Sequence, residues 1–290
     1  MQVTDRDVSI LELLLTYGFL VTSQIRSIVF PADKDGSVTR DRLRKLEGAG
    51  LVQRRRAEVA NPLTSNTIPV WIITEQGICQ LSLRKNDTEI LNQKPPCTRS
   101  WQNFTHYVAV ADLLLKAKQA IAAQARVQLG DVFFEHTLLN AAADDAAHRY
   151  KLYTVLSETP KRLICAPDAS LELKVAAYRR PYYVELERGT DTPPRVAAKK
   201  TPGYHGLFVS KQFKRHYPDA NDFRVLCVAP TSSWRDSLRK AVRDKPGADL
   251  WLFMALDEIK PETFLHSNIA YTCTDGPRPF VRPEAPPQQG

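Results

Sequence analysis

The sequence predicts a mixed protein of the α/β (α+β) class with two domains, and three observations support this. Helical patterns followed by one β-hairpin pattern occupy residues 1–85. Helical and strand patterns then alternate through residues 100–274, which predicts a mixed sheet flanked by helices. Between them, residues 86–99 are polar, contain two adjacent prolines and predict a linker, while the proline-rich residues 275–290 predict a mobile tail.

Composition and charge narrow the classes of function. Lysine and arginine number 40 against 32 aspartates and glutamates, and the formal net charge of +8 favours a polyanionic partner. Hydrophobic residues make up 43% and charged residues 25%, which excludes wholesale disorder. The sequence has no signal-peptide core and no apolar stretch of about 18 residues, so we expect a soluble, cytoplasmic protein. Five scattered cysteines without zinc-site spacing predict reduced thiols.

The first 85 residues carry the pattern of three short helices and a hairpin. One helix begins near Thr4 and ends at Gly18, a second follows Thr22, and a third covers Ser37–Gly48. Two strand patterns, Leu51–Val59 and Ile68–Ile73, then bracket a turn-rich segment, and a brief helix closes the domain after Thr74. This order of elements resembles the winged helix-turn-helix fold.

Seven basic residues fall on two adjacent elements of this domain. The third helix would expose four of them and the hairpin offers three, namely Arg40, Arg42, Arg44, Lys45, Arg54, Arg55 and Arg56. A helix in the major groove with a basic strand pair beside it is how this motif docks on DNA, and phosphate contacts supply most of the salt-sensitive affinity. We therefore expect binding to double-stranded DNA. The alternative is a winged helix that binds another protein and has solvated charges.

The second domain begins with a long amphipathic helix and continues with alternating strands and helices. In order, the patterns predict a helix over Phe104–Ala125, strands over Asp131–Leu139, Leu163–Leu173 and Tyr182–Glu187, a helical region over Pro193–Tyr217, a strand from Phe223, a helix from Ser232 and a strand from Leu250.

Three carboxylates lie on two of these strands. Glu185 and Glu187 are two residues apart on one strand and share a face. If the neighbouring strand pairs with it, Asp168 approaches both, because adjacent strands lie about 4.8 Å apart. Crowded acids raise each other's pKa unless a cation neutralises them, and an oxygen-only cluster suits Mg²⁺ or Mn²⁺ rather than Zn²⁺.

These motifs resemble the PD-(D/E)xK restriction-endonuclease-like superfamily. The fuller set, PDASLEL, then YYVELERGT, then Lys200 with Tyr204 four residues later, all after a winged helix, resembles the replication-relaxation family over about Thr4–Leu256. That family includes the MobC-class relaxases of mobilisable plasmids, which nick DNA at a transfer origin.

The resemblance implies a role for each site residue. Asp168 and Glu185 match the metal-binding acids, and Glu187 stands where the parent superfamily has its lysine. The lysine would then move to the next helix, where Lys200 or its neighbour Lys199 is the candidate. Because Thr-Pro-Gly follows Lys200 at once, we expect that helix to begin after it.

The resulting expectation is a Mg²⁺- or Mn²⁺-dependent DNA-nicking protein in plasmid or mobile-element mobilisation or replication initiation. It would act on double-stranded DNA at a transfer or replication origin, with other mobilisation proteins as further partners. The alternative is a non-catalytic DNA-binding accessory or transcriptional regulator with an inactive nuclease-like domain. The sequence lacks the histidine triplet of tyrosine relaxases and a Walker GxxxxGK[ST] motif, which disfavours those two chemistries.

Overall fold

The computed structural model describes residues 2–60, 67–96, 104–160, 162–175 and 178–281. Within these ranges the chain forms eight α-helices and ten β-strands, and the mixed α+β class is confirmed. The chain divides into two compact units. Unit 1 comprises Met1–Asp112 and His136–Asp144, and unit 2 comprises Leu113–Glu135 and Asp145–Gly290.

Unit 1 is built on four helices whose ends are set by local chemistry. They are α1 (Asp5–Tyr17), α2 (Thr22–Val29), α3 (Ser37–Gly48) and α4 (Glu75–Lys85). The Thr74 hydroxyl accepts the Gly77 N–H at 3.0 Å and caps α4. Gly18 ends α1 at a φ of 76°, and a Cβ at this position would lie 2.4 Å from Nε2 of His136, so both its backbone and its surroundings require glycine.

Unit 1 also contains a three-stranded antiparallel sheet. Its strands are β1 (Leu20–Val21), β2 (Val52–Ala60) and β3 (Thr67–Ile73), in the order β1-β3-β2. The β2–β3 hairpin confirms the hairpin expected from the sequence, and its turn-rich tip at residues 61–66 lies outside the described residues. The element order is that of a winged helix-turn-helix, an assignment that stays a prediction. The linker expected at 86–99 contains a short 3₁₀ helix, Thr88–Asn92, with Ile90 buried.

A buried ion pair joins α1 to α3. The Asp7 carboxylate is fully buried and accepts hydrogen bonds from Nε and Nη2 of Arg42. It also accepts the N–H of Thr4 at 2.6 Å and the Thr4 hydroxyl at 2.8 Å, which fixes the first turn of α1. Burial alone would raise the pKa of Asp7, but the hydrogen bonds from Arg42 and Thr4 lower it below its ordinary value.

Unit 2 is built around a mixed five-stranded sheet. The described α-helices and β-strands from residue 104 onward are α5 (Phe104–Ala122, which belongs to unit 2 from Leu113), β4 (Val127–Phe134), α6 (Ala146–Arg149), β5 (Thr154–Ser157), β6 (Leu163–Cys165), β7 (Ala169–Val175), β8 (Tyr178–Leu186), α7 (Pro193–Val209), β9 (Arg224–Ala229), α8 (Ser232–Val242) and β10 (Trp251–Ala255). The sheet has the order β10-β9-β8-β7-β4. Strands β4, β7 and β8 pair antiparallel, whereas β8, β9 and β10 pair parallel.

Three of the expected strands of unit 2 have clearly different bounds in the structure. The strand expected over Tyr182–Glu187 is Tyr178–Leu186. The run Leu163–Leu173 is two strands, because the chain leaves β6 after Cys165 and enters β7 at Ala169. The first strand pairs with β5 in a separate two-stranded sheet and the second joins the large sheet. The strand expected over Asp131–Leu139 is Val127–Phe134. After its end, the Glu135 N–H donates a hydrogen bond to the Asp168 carbonyl at 2.9 Å.

The start of the expected tail packs against the rest of unit 2. Within residues 275–281, the backbone of Arg278 pairs with Ala270. Phe280 is buried against Tyr182 and Phe264, with ring centroids 4.6 and 5.2 Å away. Residues 282–290 of the expected tail lie outside the described residues.

The sequence also predicted reduced cysteines and no membrane-spanning stretch. The four described cysteines, Cys79, Cys165, Cys227 and Cys273, are free thiols, and Cys97 lies outside the described residues. All but Cys79 are buried. Among the described residues, no helix combines the length and apolar character needed to cross a membrane.

A histidine network is buried in the core of unit 2. The Nδ1 atom of His216 lies 2.6 Å from the Tyr183 hydroxyl, and its Nε2 lies 3.0 Å from the Thr154 hydroxyl. Burial lowers the pKa of His216 to about 4, and the nearby charges of Arg215 and Lys151 act in the same direction. The folded protein therefore holds His216 in its neutral form.

We predict that this histidine makes unit 2 less stable in acid. Below pH 6.5 the unfolded chain binds a proton at His216 that the folded chain refuses until about pH 4, so the free energy of unfolding falls as pH falls through this window. The loss reaches at most about 3 kcal/mol. Urea unfolding between pH 7.5 and 4.5 should show a shallower pH slope for His216→Gln than for the parent. His148→Gln, at an exposed site, is the control, and equal slopes for all three proteins would contradict the prediction.

A second prediction concerns the Asp7–Arg42 pair. Arg42→Ala should lower the free energy of unfolding by about 2 kcal/mol, because it leaves a buried carboxylate without its guanidinium. Arg44→Ala, on the exposed side of the same helix, should change it by less than about 0.5 kcal/mol. Because the pKa of Asp7 is lowered, the difference is present at pH 7 and disappears as pH falls through that lowered pKa. Urea unfolding of both variants measures it, and equal effects would show that the pair is not structural.

Candidate functional site

Asp168 and Glu185 meet where two paired strands of unit 2 end and begin. Glu185 lies one residue before the end of β8, and Asp168 immediately precedes β7. Ala169 pairs with Val184, so the two acids lie beside each other across the strand pair. The Leu186 N–H donates to Oδ2 of Asp168 at 2.8 Å and holds that carboxylate at the end of β8. The approach of Asp168 to Glu185 that we expected from strand pairing is therefore observed.

Helix α7 contributes the two remaining side chains of the cluster, which both contact Glu185. Glu185 is only 1% exposed, and its Oε2 accepts a hydrogen bond from Nζ of Lys200 at 2.6 Å. Its Oε1 accepts a hydrogen bond from the Tyr204 hydroxyl at 2.5 Å. Lys200 and Tyr204 are four residues apart on one helix and so share a face. Both oxygens of the buried carboxylate are thus bonded by one helix.

The position of α7 corrects an expectation about Lys200. The sequence predicted a helical region from Pro193, but its Thr-Pro-Gly stretch also predicted a helix start after Lys200. The helix begins at Pro193, where a missing N–H costs no helical hydrogen bond, so the second expectation is wrong. Pro202 lies inside the helix and has no N–H to donate to the carbonyl of Ala198. Both residues are exposed. Lys200 is therefore in the helix and reaches Glu185.

A glycine lets α7 pack closely against β6. A Cβ at position 203 would lie 2.8 Å from the carbonyl oxygen of Ile164, so a larger residue there would push the helix outward. Gly203 lies between Lys200 and Tyr204 in the chain, and it therefore helps to set how far both side chains extend toward Glu185.

The charges of the cluster determine its protonation. Burial acts to lower the pKa of Lys200, but Glu185, Asp168 and Glu187 raise it well above its ordinary value, so the ammonium stays charged. Burial raises the pKa of Glu185, and Asp168 adds to this, while Lys200 and Tyr204 oppose it. Burial and the nearby acids also raise the pKa of Tyr204, which makes it a neutral donor.

The other two predicted site residues have different surroundings. Glu187 follows β8 and is half-buried, and its N–H donates to the Val228 carbonyl at 2.9 Å. Its charge acts on Lys200, which places it near the cluster. Lys199 is exposed and makes no ion pair with any residue that the structure describes. Of the two candidate lysines, Lys200 is the one that contacts Glu185.

The donor set of the cluster suits a hard divalent cation. Carboxylate oxygens are the ligands that Mg²⁺ and Mn²⁺ prefer, and Asp168, Glu185 and Glu187 supply them. Within the described part of the chain, however, no group of three or more His, Cys, Asp or Glu side chains is arranged to hold a metal ion. Glu185 is already bonded by Lys200 and Tyr204. A cation here would therefore share Glu185 with the ammonium or displace it.

Basic side chains also gather on α3 and β2 of unit 1. Arg40, Arg44 and Lys45 are exposed on α3, and Arg54 and Arg55 are exposed on β2. Two of them have acidic partners, since Arg44 lies 2.6 Å from Asp41 and Arg54 lies 3.5 Å from Glu47.

Arg42 does not join this exposed group. Arg42 is bonded to the buried Asp7, which gives it a structural role in place of the expected DNA contact. The side chain of Arg56 lies outside the described residues.

Tyr204 is the site residue whose contact the sequence analysis missed. Its type and its apolar neighbours are equally typical of a core position, and it is indeed 1% exposed. The spacing of four residues from Lys200 was the available signal, because it places both side chains on one helical face.

Comparison with known proteins supplies the family. The family model described as replication-relaxation matches residues 11–220, which is more than half of the chain and includes both the α3–β2 region and the Asp168–Glu185–Lys200 cluster. Searches of curated proteins and of solved structures found no significant match. The match over residues 11–220 shows that this chain belongs to the replication-relaxation family.

Proposed function

We propose that the protein binds double-stranded DNA through unit 1 and nicks one strand at the Asp168–Glu185–Lys200 cluster of unit 2. Membership of the replication-relaxation family indicates a role in replication or mobilisation, with DNA as the partner. The observation that carries the proposal is the convergence of two acids and a charged lysine from β7, β8 and α7 on one point. Transfer or replication origins are the proposed target, with other mobilisation proteins as further partners.

The exposed cations of α3 and β2 support the DNA-binding half of the proposal. Arg40, Arg44 and Lys45 lie on the solvent side of α3, whose buried side is formed by Thr39, Leu43 and Leu46. A winged helix-turn-helix places such a helix in the major groove, and each phosphate contact then releases counterions. Arg55 on β2 adds positive charge on the hairpin.

The cluster in unit 2 supports the nicking half. When bound, Mg²⁺ or Mn²⁺ would stabilise charge on the phosphate and activate water, with Asp168, Glu185 and Glu187 as its proposed ligands. Lys200 offers a fixed positive charge to the developing phosphate oxyanion. Glu185 positions that ammonium, and Tyr204 in turn positions Glu185 through its hydroxyl.

A second candidate function is a non-catalytic DNA-binding accessory or transcriptional regulator with an inactive nuclease-like domain. One observation favours it. Glu185 is buried with both oxygens bonded, and Lys200 balances its charge, so the cluster is stable without any metal ion. In this reading the Glu185–Lys200 pair joins α7 to the sheet and does nothing else.

Nicking of supercoiled plasmid carrying a cognate origin distinguishes the two functions. We predict conversion to the open circle with Mg²⁺ or Mn²⁺ and none after EDTA treatment. Lys200→Ala should slow nicking by about 100-fold, which is the scale for losing one positioned electrostatic donor. Lys199→Ala is the matched control because it removes the neighbouring exposed lysine, and it should change the rate little.

The outcomes of this assay separate three situations. Loss of nicking in Asp168→Ala with an unchanged melting temperature supports a metal ligand at that position. Equal rates for both lysine variants would refute the assignment of Lys200. A parent protein that binds the origin but never nicks it with either metal would favour the accessory function.

Salt dependence tests the DNA-binding surface. Replacing Arg40, Arg44 and Lys45 together with alanine should weaken DNA binding and flatten its dependence on salt. Each lost phosphate contact should reduce the slope of log affinity against log salt by about 0.9. Fluorescence anisotropy at several salt concentrations measures the slope, with Arg84→Ala on α4 as a control. A slope equal to that of the parent would remove α3 from the interface.

A further inference from the structure

A second site-like feature of unit 2 is a cavity of about 420 Å³. It lies at the start of β8 and β9, under the C-terminal segment that packs back on the sheet. Three arginines and three aromatic residues dominate its lining, namely Arg180, Arg224, Arg278, Tyr178, Tyr182 and Phe280. Its volume falls within the range of small-molecule sites, which is about 300–1,000 Å³.

This cavity lies on the other face of the sheet from the acidic cluster. Neighbouring residues on a strand point to opposite faces, so Tyr182 and Tyr183 diverge. Tyr183 faces the same way as Glu185 and packs against Phe223, with centroids 4.9 Å apart. Tyr182 packs against Phe280 of the C-terminal segment at 4.6 Å. A ligand in the cavity would therefore not touch Glu185 or Lys200.

One guanidinium of the cavity has no acidic partner among the described residues. Arg180 is paired with Asp222 through two hydrogen bonds of 3.0 and 2.9 Å. The half-buried side chain of Arg224 makes no hydrogen bond or ion pair with any other described residue. Arg278 adds a third guanidinium to the lining. A partly buried guanidinium without a counter-charge favours an anionic ligand, most strongly phosphate or carboxylate.

An aromatic surface lies beside these arginines. Tyr178 is 47% exposed, which is high for so large a ring at a cavity wall. The Arg180 guanidinium lies over this ring at 4.5 Å from its centroid and supports it from one side. Exposed tyrosine rings held in this way stack on nucleobases, whatever the base.

From these two features together we infer that the cavity binds a nucleoside phosphate. Its phosphate would contact Arg224 and Arg278, and its base would stack on Tyr178. A purely apolar ligand would leave Arg224 without a partner, and a bare phosphate would leave the aromatic surface unused. The same chemistry is present in a free mononucleotide and in the 5′-phosphorylated end of a DNA strand.

Calorimetry on the full chain tests this inference with two probes. Deoxyadenosine monophosphate should bind at least about tenfold more tightly than deoxyadenosine, because only the nucleotide has the phosphate. Arg224→Gln should remove most of that difference, with Arg278 retaining the rest, and Arg224→Lys should restore much of it by returning the charge. Tyr178→Leu should weaken both probes about equally, since it removes the stacking surface and leaves the arginines.

Controls separate this cavity from other cationic surfaces and from the acidic cluster. Arg162→Gln removes an exposed arginine elsewhere in unit 2, and Asp168→Ala alters the other face of the sheet, so both should bind the nucleotide like the parent. A 5′-phosphorylated oligothymidylate that competes far better than the mononucleotide would identify a strand end as the ligand, and equal competition a free nucleotide. Unchanged nucleotide affinity in Arg224→Gln, or no binding of either probe by the parent, would overturn the inference.

Discussion

The buried carboxylate of Glu185 is the constraint around which unit 2 is arranged. A carboxyl group that is 1% exposed loses nearly all of its hydration, and its charged form is tolerated only when hydrogen-bonded and balanced by a positive charge. Lys200 and Tyr204 supply both requirements from one face of α7. The contact therefore fixes how α7 packs on the sheet, and Gly203 allows the close approach to β6 that this packing needs. Fold and candidate chemistry share the same atoms.

Unit 1 also contains a buried carboxylate balanced by a cation, in the Asp7–Arg42 pair. The buried carboxylate joins the start of α1 to the middle of α3, so one arginine of the basic helix serves the fold. Its neighbours on the other side of the helix remain exposed. Arginines that look equivalent in a charge count thus divide into structural and surface roles according to whether a buried acid faces them.

The alternation of side chains along β8 gives the sheet of unit 2 two chemically different faces. One face carries Glu185 and meets α7, and the other carries Tyr182 and meets the C-terminal segment. An acidic, lysine-balanced cluster and an arginine-rich cavity therefore lie on one strand without contact between them. The sheet therefore separates the proposed nicking site from the proposed nucleoside-phosphate site.

The sequence by itself determined the α+β class, the helices and hairpin of unit 1, and the approach of Asp168 to Glu185. These follow from local periodicity and from the fixed spacing of paired strands, which neighbouring residues encode. Only the tertiary structure decided that Pro202 lies within α7 and does not end it after Lys200, that Lys200 rather than Lys199 contacts Glu185, and that Arg42 pairs with Asp7. Each of these depends on burial and on a partner remote in the chain. A proline that looks like a helix boundary, or an arginine that looks exposed, is given its role by those distant contacts.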